Sequence, residues 1–104
     1  RPWEIGKAFE RSAPIGPLVS ADETGHLDTG QISLTVNGDI RQNGNLNQMI
    51  WKVPEQIAYL SRYYDINAGD LIMSGTPAGV GPIQKGDVME CRIAGLDPIV
   101  VTVV

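Results

Sequence analysis

Ile32, Leu34 and Val36 alternate with Gln31, Ser33 and Thr35, a period of two that puts three apolar side chains on one face of a strand. Asn37-Gly38 follows at once, and this dipeptide is a strong hairpin signal because a type I′ turn needs positive φ at both central positions. The pattern predicts a return strand over Asp39–Gln42 and then a polar loop, Asn43–Gln48. Ile50, Val53, Ile57, Leu60 and Tyr64 recur at spacings of three and four, one face of an amphipathic helix. Pro54 suits the first helical residue and Glu55 the first turn, so the helix is expected over Pro54–Tyr64.

Leu71-Ile72-Met73 follows the turn pair Gly69-Asp70 and predicts a short buried strand that runs into Gly75-Thr76-Pro77-Ala78-Gly79-Val80-Gly81-Pro82. After a second such turn, Gly86-Asp87, the strand Val88–Ala94 places Met89, Cys91 and Ile93 on one face and Glu90 and Arg92 on the other. Gly95–Pro98 then turns the chain into a last strand, Ile99–Val104. Ahead of the hairpin, Pro14–Pro17 forbids helix, Leu18–Ser20 predicts a short strand, and Ala21–Gly30 reads as a loop of turn residues. The sum is five or six short strands with one or two helices, a mainly β class with a helix packed on the sheet.

Composition narrows the function. With 12 Asp and Glu against 8 Lys and Arg, the chain carries a net charge of -4 and lacks the basic face that nucleic acid requires. Ile99–Val104 is far short of the roughly 20 apolar residues of a membrane span. The single cysteine, Cys91, forms no internal disulfide, and a reducing, cytoplasmic setting is the expectation. At 104 residues the chain buries only about 60 to 65% of its unfolded surface, so stability is expected to be marginal.

Gly6-Lys7 resembles the end of a phosphate-binding loop, but that motif needs glycine where Arg1 stands and a hydroxyl residue where Ala8 stands. Gly75, Gly79 and Gly81 have the wrong spacing for a dinucleotide fingerprint. The Gly75–Pro82 loop instead offers a sharp turn at a strand end, the Thr76 hydroxyl, and amides that can face a carboxylate or an oxyanion; a plain β connection is its simpler reading. Lys7 lies between Ile5 and Phe9, where its ammonium could bind a carboxylate or stabilise an enolate, although a solvent-facing lysine is the commoner case. His26 sits in the turn-rich loop without a second ligand nearby and reads as a surface residue, Cys91 as a core residue, and Asp70 and Asp87 as partners of their own turns. No serine has a G-x-S-x-G context.

Taken in order, Pro2-Trp3 through Gly6-Lys7-Ala8-Phe9 and Pro14, Leu34-Thr35-Val36-Asn37-Gly38 with Gln42, Ile57-Ala58-Tyr59-Leu60-Ser61, Gly69-Asp70-Leu71-Ile72, Gly75-Thr76-Pro77-Ala78-Gly79-Val80-Gly81 and Gly86-Asp87 resemble the fumarylacetoacetate hydrolase family over essentially the whole chain. Within it, the chain is similar to the bacterial branch that hydrolyses fumarylpyruvate and other acylpyruvates in gentisate breakdown. The resemblance implies a mixed β-roll fold and hydrolysis of a carbon–carbon bond in a 1,3-diketo acid, with Mg2+ or Mn2+ as cofactor and a homodimer as the assembly. It maps a substrate or oxyanion contact onto Lys7, and a contact to the substrate carboxylate onto Thr76 with Gly75 and neighbouring amides. The family's metal ligands, an E-x-E pair and an aspartate of an R-D segment, have no counterpart here, since no E-x-E occurs and Arg1-Pro2 is not that segment. Residues 1–104 are therefore expected to be the C-terminal part of the catalytic domain, without metal ligands and inactive alone. Isomerisation or decarboxylation of an unsaturated 2-oxo diacid or of oxaloacetate is a rival on the same scaffold, and a non-catalytic β binding module is a rival of another class.

Overall fold

The computed structural model describes residues 3–104; Arg1 and Pro2 lie outside the described residues. The chain opens with a short helix, α1 (Trp3–Lys7), and continues through α2 (Ala21–Thr24), β1 (Gln31–Val36), β2 (Asp39–Asn45), a 3-10 turn at Leu46–Gln48, α3 (Val53–Leu60), β3 (Val88–Ile93) and β4 (Ile99–Thr102). The four strands form one sheet in the order β2-β1-β3-β4, and all three pairings are antiparallel. No helix among the described residues is long and apolar enough to cross a membrane.

The hairpin forms where the pattern places it, with Asn37 at φ 52° and Gly38 at φ 85°. Asn37 does more than turn the chain. Its Nδ2 donates to Asp87 Oδ1 at 2.9 Å and its Oδ1 accepts from the Val88 amide at 2.9 Å, which ties the turn to the start of β3. Asp87 also accepts from the Gln84 amide at 2.8 Å and so closes its own turn, as Asp70 does by accepting from the Asn67 amide at 2.8 Å.

The Gln84 amide, then Asn37, hold the Asp87 carboxyl below its ordinary value of 3.8 against a smaller opposing desolvation, and the Arg41 charge adds the least. Because the folded pKa is the lower one, this contribution to stability is complete above 3.8 and is lost as pH falls through the folded value. Asp87→Asn is accordingly expected to flatten the acid limb of the melting temperature below pH 3.8; an unchanged limb would show that the turn carries no linkage.

Several elements depart from expectation. Leu18–Ser20 is not a strand, because the Ser20 hydroxyl caps α2 by accepting from the Asp22 amide at 3.2 Å, which also turns the start of the expected loop Ala21–Gly30 into a helical turn. The return strand runs on to Asn45, into the stretch expected to be loop. The helix starts at Val53 and ends at Leu60, where the Arg62 and Tyr63 amides switch to carbonyls three residues back and Ser61 Oγ donates to Ala58 O. At its start Glu55 accepts from the Lys52 amide at 2.9 Å. β3 ends at Ile93 and β4 at Thr102.

The largest departure is Leu71-Ile72-Met73, expected as a buried strand. It joins no ladder, and Leu71 and Met73 are 57% and 69% exposed. An apolar run becomes a buried strand only where it pairs with a sheet edge and a second layer covers it, and among the described residues it does neither. Burial is slight throughout: Val36, at the hairpin end of the inner strand β1, is the one fully buried apolar side chain among the described residues. Trp3, Phe9 and the helix-face residues Val53 and Ile57 are exposed. Cys91 is likewise exposed and not a core residue, since no layer covers its part of β3. Partial desolvation pushes its thiol pKa up, which argues against a nucleophile.

Candidate functional site

A cavity of about 500 Å³ opens between the sheet and α3. Ile32 and Ile93 of the sheet, Leu46 and Met49 after β2, and Trp51 and Val53 at the start of α3 form its apolar wall. Asn45, Gln48, Gln56 and the segment Ser74–Pro77 complete the lining, so Gly75 and Thr76 are both brought to it. An apolar pocket with a few convergent polar groups is the expected form of a small-molecule site.

The loop carrying Thr76 is strapped to the edge strand β2. Gln42 Nε2 donates to Thr76 Oγ1 at 2.9 Å and to the Pro77 carbonyl at 2.6 Å, and Arg41 Nη1 donates to the Pro82 carbonyl at 3.2 Å. Gly79, at φ +108°, passes so close to the Arg41 carbonyl that a Cβ there would collide with it. Pro77 closes over Gly44, where a Cβ would stand 3.2 Å from the proline ring.

A β-bulge makes this strap possible. Val36 pairs with Asp39 and Thr35 with Ile40, but Leu34 pairs with Gln42, leaving Arg41 as the extra residue. An unbroken ladder would pair Leu34 with Arg41 and Gln42 with Ser33. The bulge moves Gln42 into register with Leu34, on the face that carries Ile32 toward the cavity.

Lys7 is not brought to this cavity. It ends α1, is exposed, and holds its Nζ 5.0 Å from the Trp3 ring centroid. His26 is exposed beside a second, open cavity of about 690 Å³ lined also by Leu18, Pro54 and Pro98. Among the described residues no group of three or more His, Cys, Asp or Glu is placed to hold a metal ion. Arg41, Gln42 and Gly44 were given no role by the sequence pattern. Gln42 belongs to the quoted motif, yet its direction depends on a bulge that the alternation of side chains does not announce.

The model of the fumarylacetoacetate (FAA) hydrolase C-terminal family matches residues 1–104. The chain is 42% identical over 96 residues to the mitochondrial oxaloacetate decarboxylase of Dictyostelium discoideum, covering 92% of this chain and 44% of that protein. It is 41% identical over 103 residues to the fumarylpyruvate hydrolase of Ralstonia sp, covering 99% of this chain and 53% of that protein. The crystal structure of fumarylpyruvate hydrolase from Pseudomonas aeruginosa in complex with Mn2+ and pyruvate superposes with a TM-score of 0.96 at 51% identity, over 100% of this chain and 45% of that one. The chain thus spans about half the length of the relatives it matches. With the motif order, the sheet and these likenesses in agreement, the chain belongs to the fumarylacetoacetate hydrolase C-terminal family and has that family's mainly β fold.

Proposed function

We propose that these residues are the C-terminal part of a divalent-metal-dependent enzyme that hydrolyses a carbon–carbon bond of a 1,3-diketo acid, with fumarylpyruvate giving fumarate and pyruvate as the leading case. The likeness of the whole chain to an enzyme crystallised with Mn2+ and pyruvate carries this reading. The described residues do not fit a metal ion, so the cation is assigned to ligands elsewhere in the whole protein and no step is derived through it here. This chain's share is substrate binding and a cation for the developing oxyanion. Thr76, Gly75 and adjacent amides meet the carboxylate of the 2-oxo acid end, and the apolar wall accepts the rest. Lys7 is proposed to stabilise the enolate left when the bond breaks, which requires the remainder of the protein to hold α1 at the site. The exposed apolar faces are assigned to contacts with that remainder or with a second copy in a homodimer, and the setting to the cytoplasm.

A second reading is favoured by the 42% identity to an oxaloacetate decarboxylase: the same carboxylate end would then belong to oxaloacetate. Assay of the whole protein with Mn2+ or Mg2+ separates the two. The first reading expects a higher kcat/KM for fumarylpyruvate than for decarboxylation or enol–keto exchange of oxaloacetate, and loss of activity on chelation. The reverse ratio establishes the second reading. No turnover of either substrate, with no shift in melting temperature on adding pyruvate, would leave a binding module.

A further inference from the structure

We infer that Gln42 is a positioning residue that sets the direction of the Thr76 hydroxyl proton, so that the loop presents a donor to the ligand carboxylate. The inference rests on the carboxylate-binding reading of Thr76 and adds the group that makes it possible.

The polarity follows from the partners. The Pro77 carbonyl can only accept, so the Gln42 group 2.6 Å from it is the amide NH2 and not the amide oxygen. The same nitrogen lies 2.9 Å from Thr76 Oγ1 and has a second N–H to give. Thr76 therefore accepts from Gln42 and spends a lone pair there. Its own O–H is left to point away from β2, and Thr76 lines the cavity. A hydroxyl held in this way offers a donor to a carboxylate or enolate oxygen, whereas a free one spends part of its population turned toward the protein's own carbonyls. The bulge at Arg41 serves the same end, since only the shifted register brings Gln42 to the Thr76 side.

Gln42→Glu and Gln42→Leu distinguish direction from packing. Glutamate has glutamine's shape but, when ionised, accepts where glutamine donates; it would capture the Thr76 proton and repel an anion. Leucine removes both bonds and adds no charge. The measurement is the Kd of pyruvate for the whole protein with Mn2+ present, by calorimetry, for the wild type, both variants, Thr76→Val and the two double variants. Gln42→Glu is expected to weaken pyruvate roughly 10- to 100-fold near neutral pH. Gln42→Leu should weaken it less. The Glu variant should regain affinity as pH falls and its carboxyl becomes a donor, and most of the Gln42→Leu loss should vanish in the Thr76→Val background.

A merely structural role, the strap through the Pro77 carbonyl, would act whatever the Thr76 side chain is, so its loss would be the same in the Thr76→Val background. A Gln42→Leu loss undiminished in the Thr76→Val background, or a wild type that binds no pyruvate, would overturn the inference. A wrong reaction assignment shows separately, as wild-type protein that binds pyruvate but turns over neither substrate.

Discussion

Lys7→Ala in the whole protein is expected to lower kcat/KM for its 2-oxo acid substrate by about 10²- to 10³-fold, the range for removing one donor to a developing oxyanion. Its effect on stability should be small. Lys7 is exposed and its one described side-chain contact is a cation–π approach to Trp3 at 5.0 Å, of a kind worth about 0.5 to 1 kcal/mol at an exposed site. The two effects therefore separate cleanly, by steady-state kinetics against denaturant unfolding of the same preparation. Lys7→Arg keeps the cation but changes its shape and reach, and should recover only part of the activity. Unchanged activity per folded molecule, with a stability loss like that of a core truncation, would sink the catalytic assignment.

Gly79→Ala should be the most destabilising single-methyl change at the candidate site. Gly79 sits at φ +108°, a region that L side chains rarely adopt, and a Cβ there would run into the Arg41 carbonyl. The obstacle is backbone, and it belongs to the bulged residue that also orders Gln42, so it cannot swing aside as a flexible side chain would. Strain of this backbone kind costs of order 1 to 3 kcal/mol, and the collision adds to it, so a loss of roughly 2 to 4 kcal/mol in urea unfolding of the whole protein is expected. Pyruvate affinity should fall with it, because a loop lifted from β2 breaks both Gln42 bonds. Ala78→Gly, one residue away and free of that constraint, serves as the control; equal losses from the two changes would remove the special place given to Gly79.

The alternation Ile32, Leu34, Val36 and the Asn37-Gly38 turn were legible from residues alone because both are local: a period of two sets the face, and positive φ sets the turn. Asp70 and Asp87 behave as their Gly-Asp context predicts for the same reason. The helix was legible to within a few residues, its extra turn lost to the tighter bonding after Leu60. Gly75 and Thr76 were singled out through the compound motif, and both line the cavity.

What one pattern cannot carry is pairing between distant segments. Cys91 and Leu71–Met73 have buried-strand sequences, and both are exposed because burial depends on a covering layer and not on apolarity. The bulge at Arg41 is the sharpest case. The same residues in an unbroken ladder would pair Gln42 with Ser33, a slip that reverses the face of a side chain, and the hydrophobic pattern of Asp39–Asn45 is too polar to forbid it. By itself the sequence determined the hairpin, the helix, the family and the Gly75–Thr76 loop. Only the tertiary structure decided that β2 bulges toward that loop, that Gln42 donates to Thr76, and that Lys7 stands apart from both. The bonds that tie β2 to the loop join residues more than 30 positions apart, where close approach and hydrogen-bond direction choose among arrangements that local propensity leaves nearly equal.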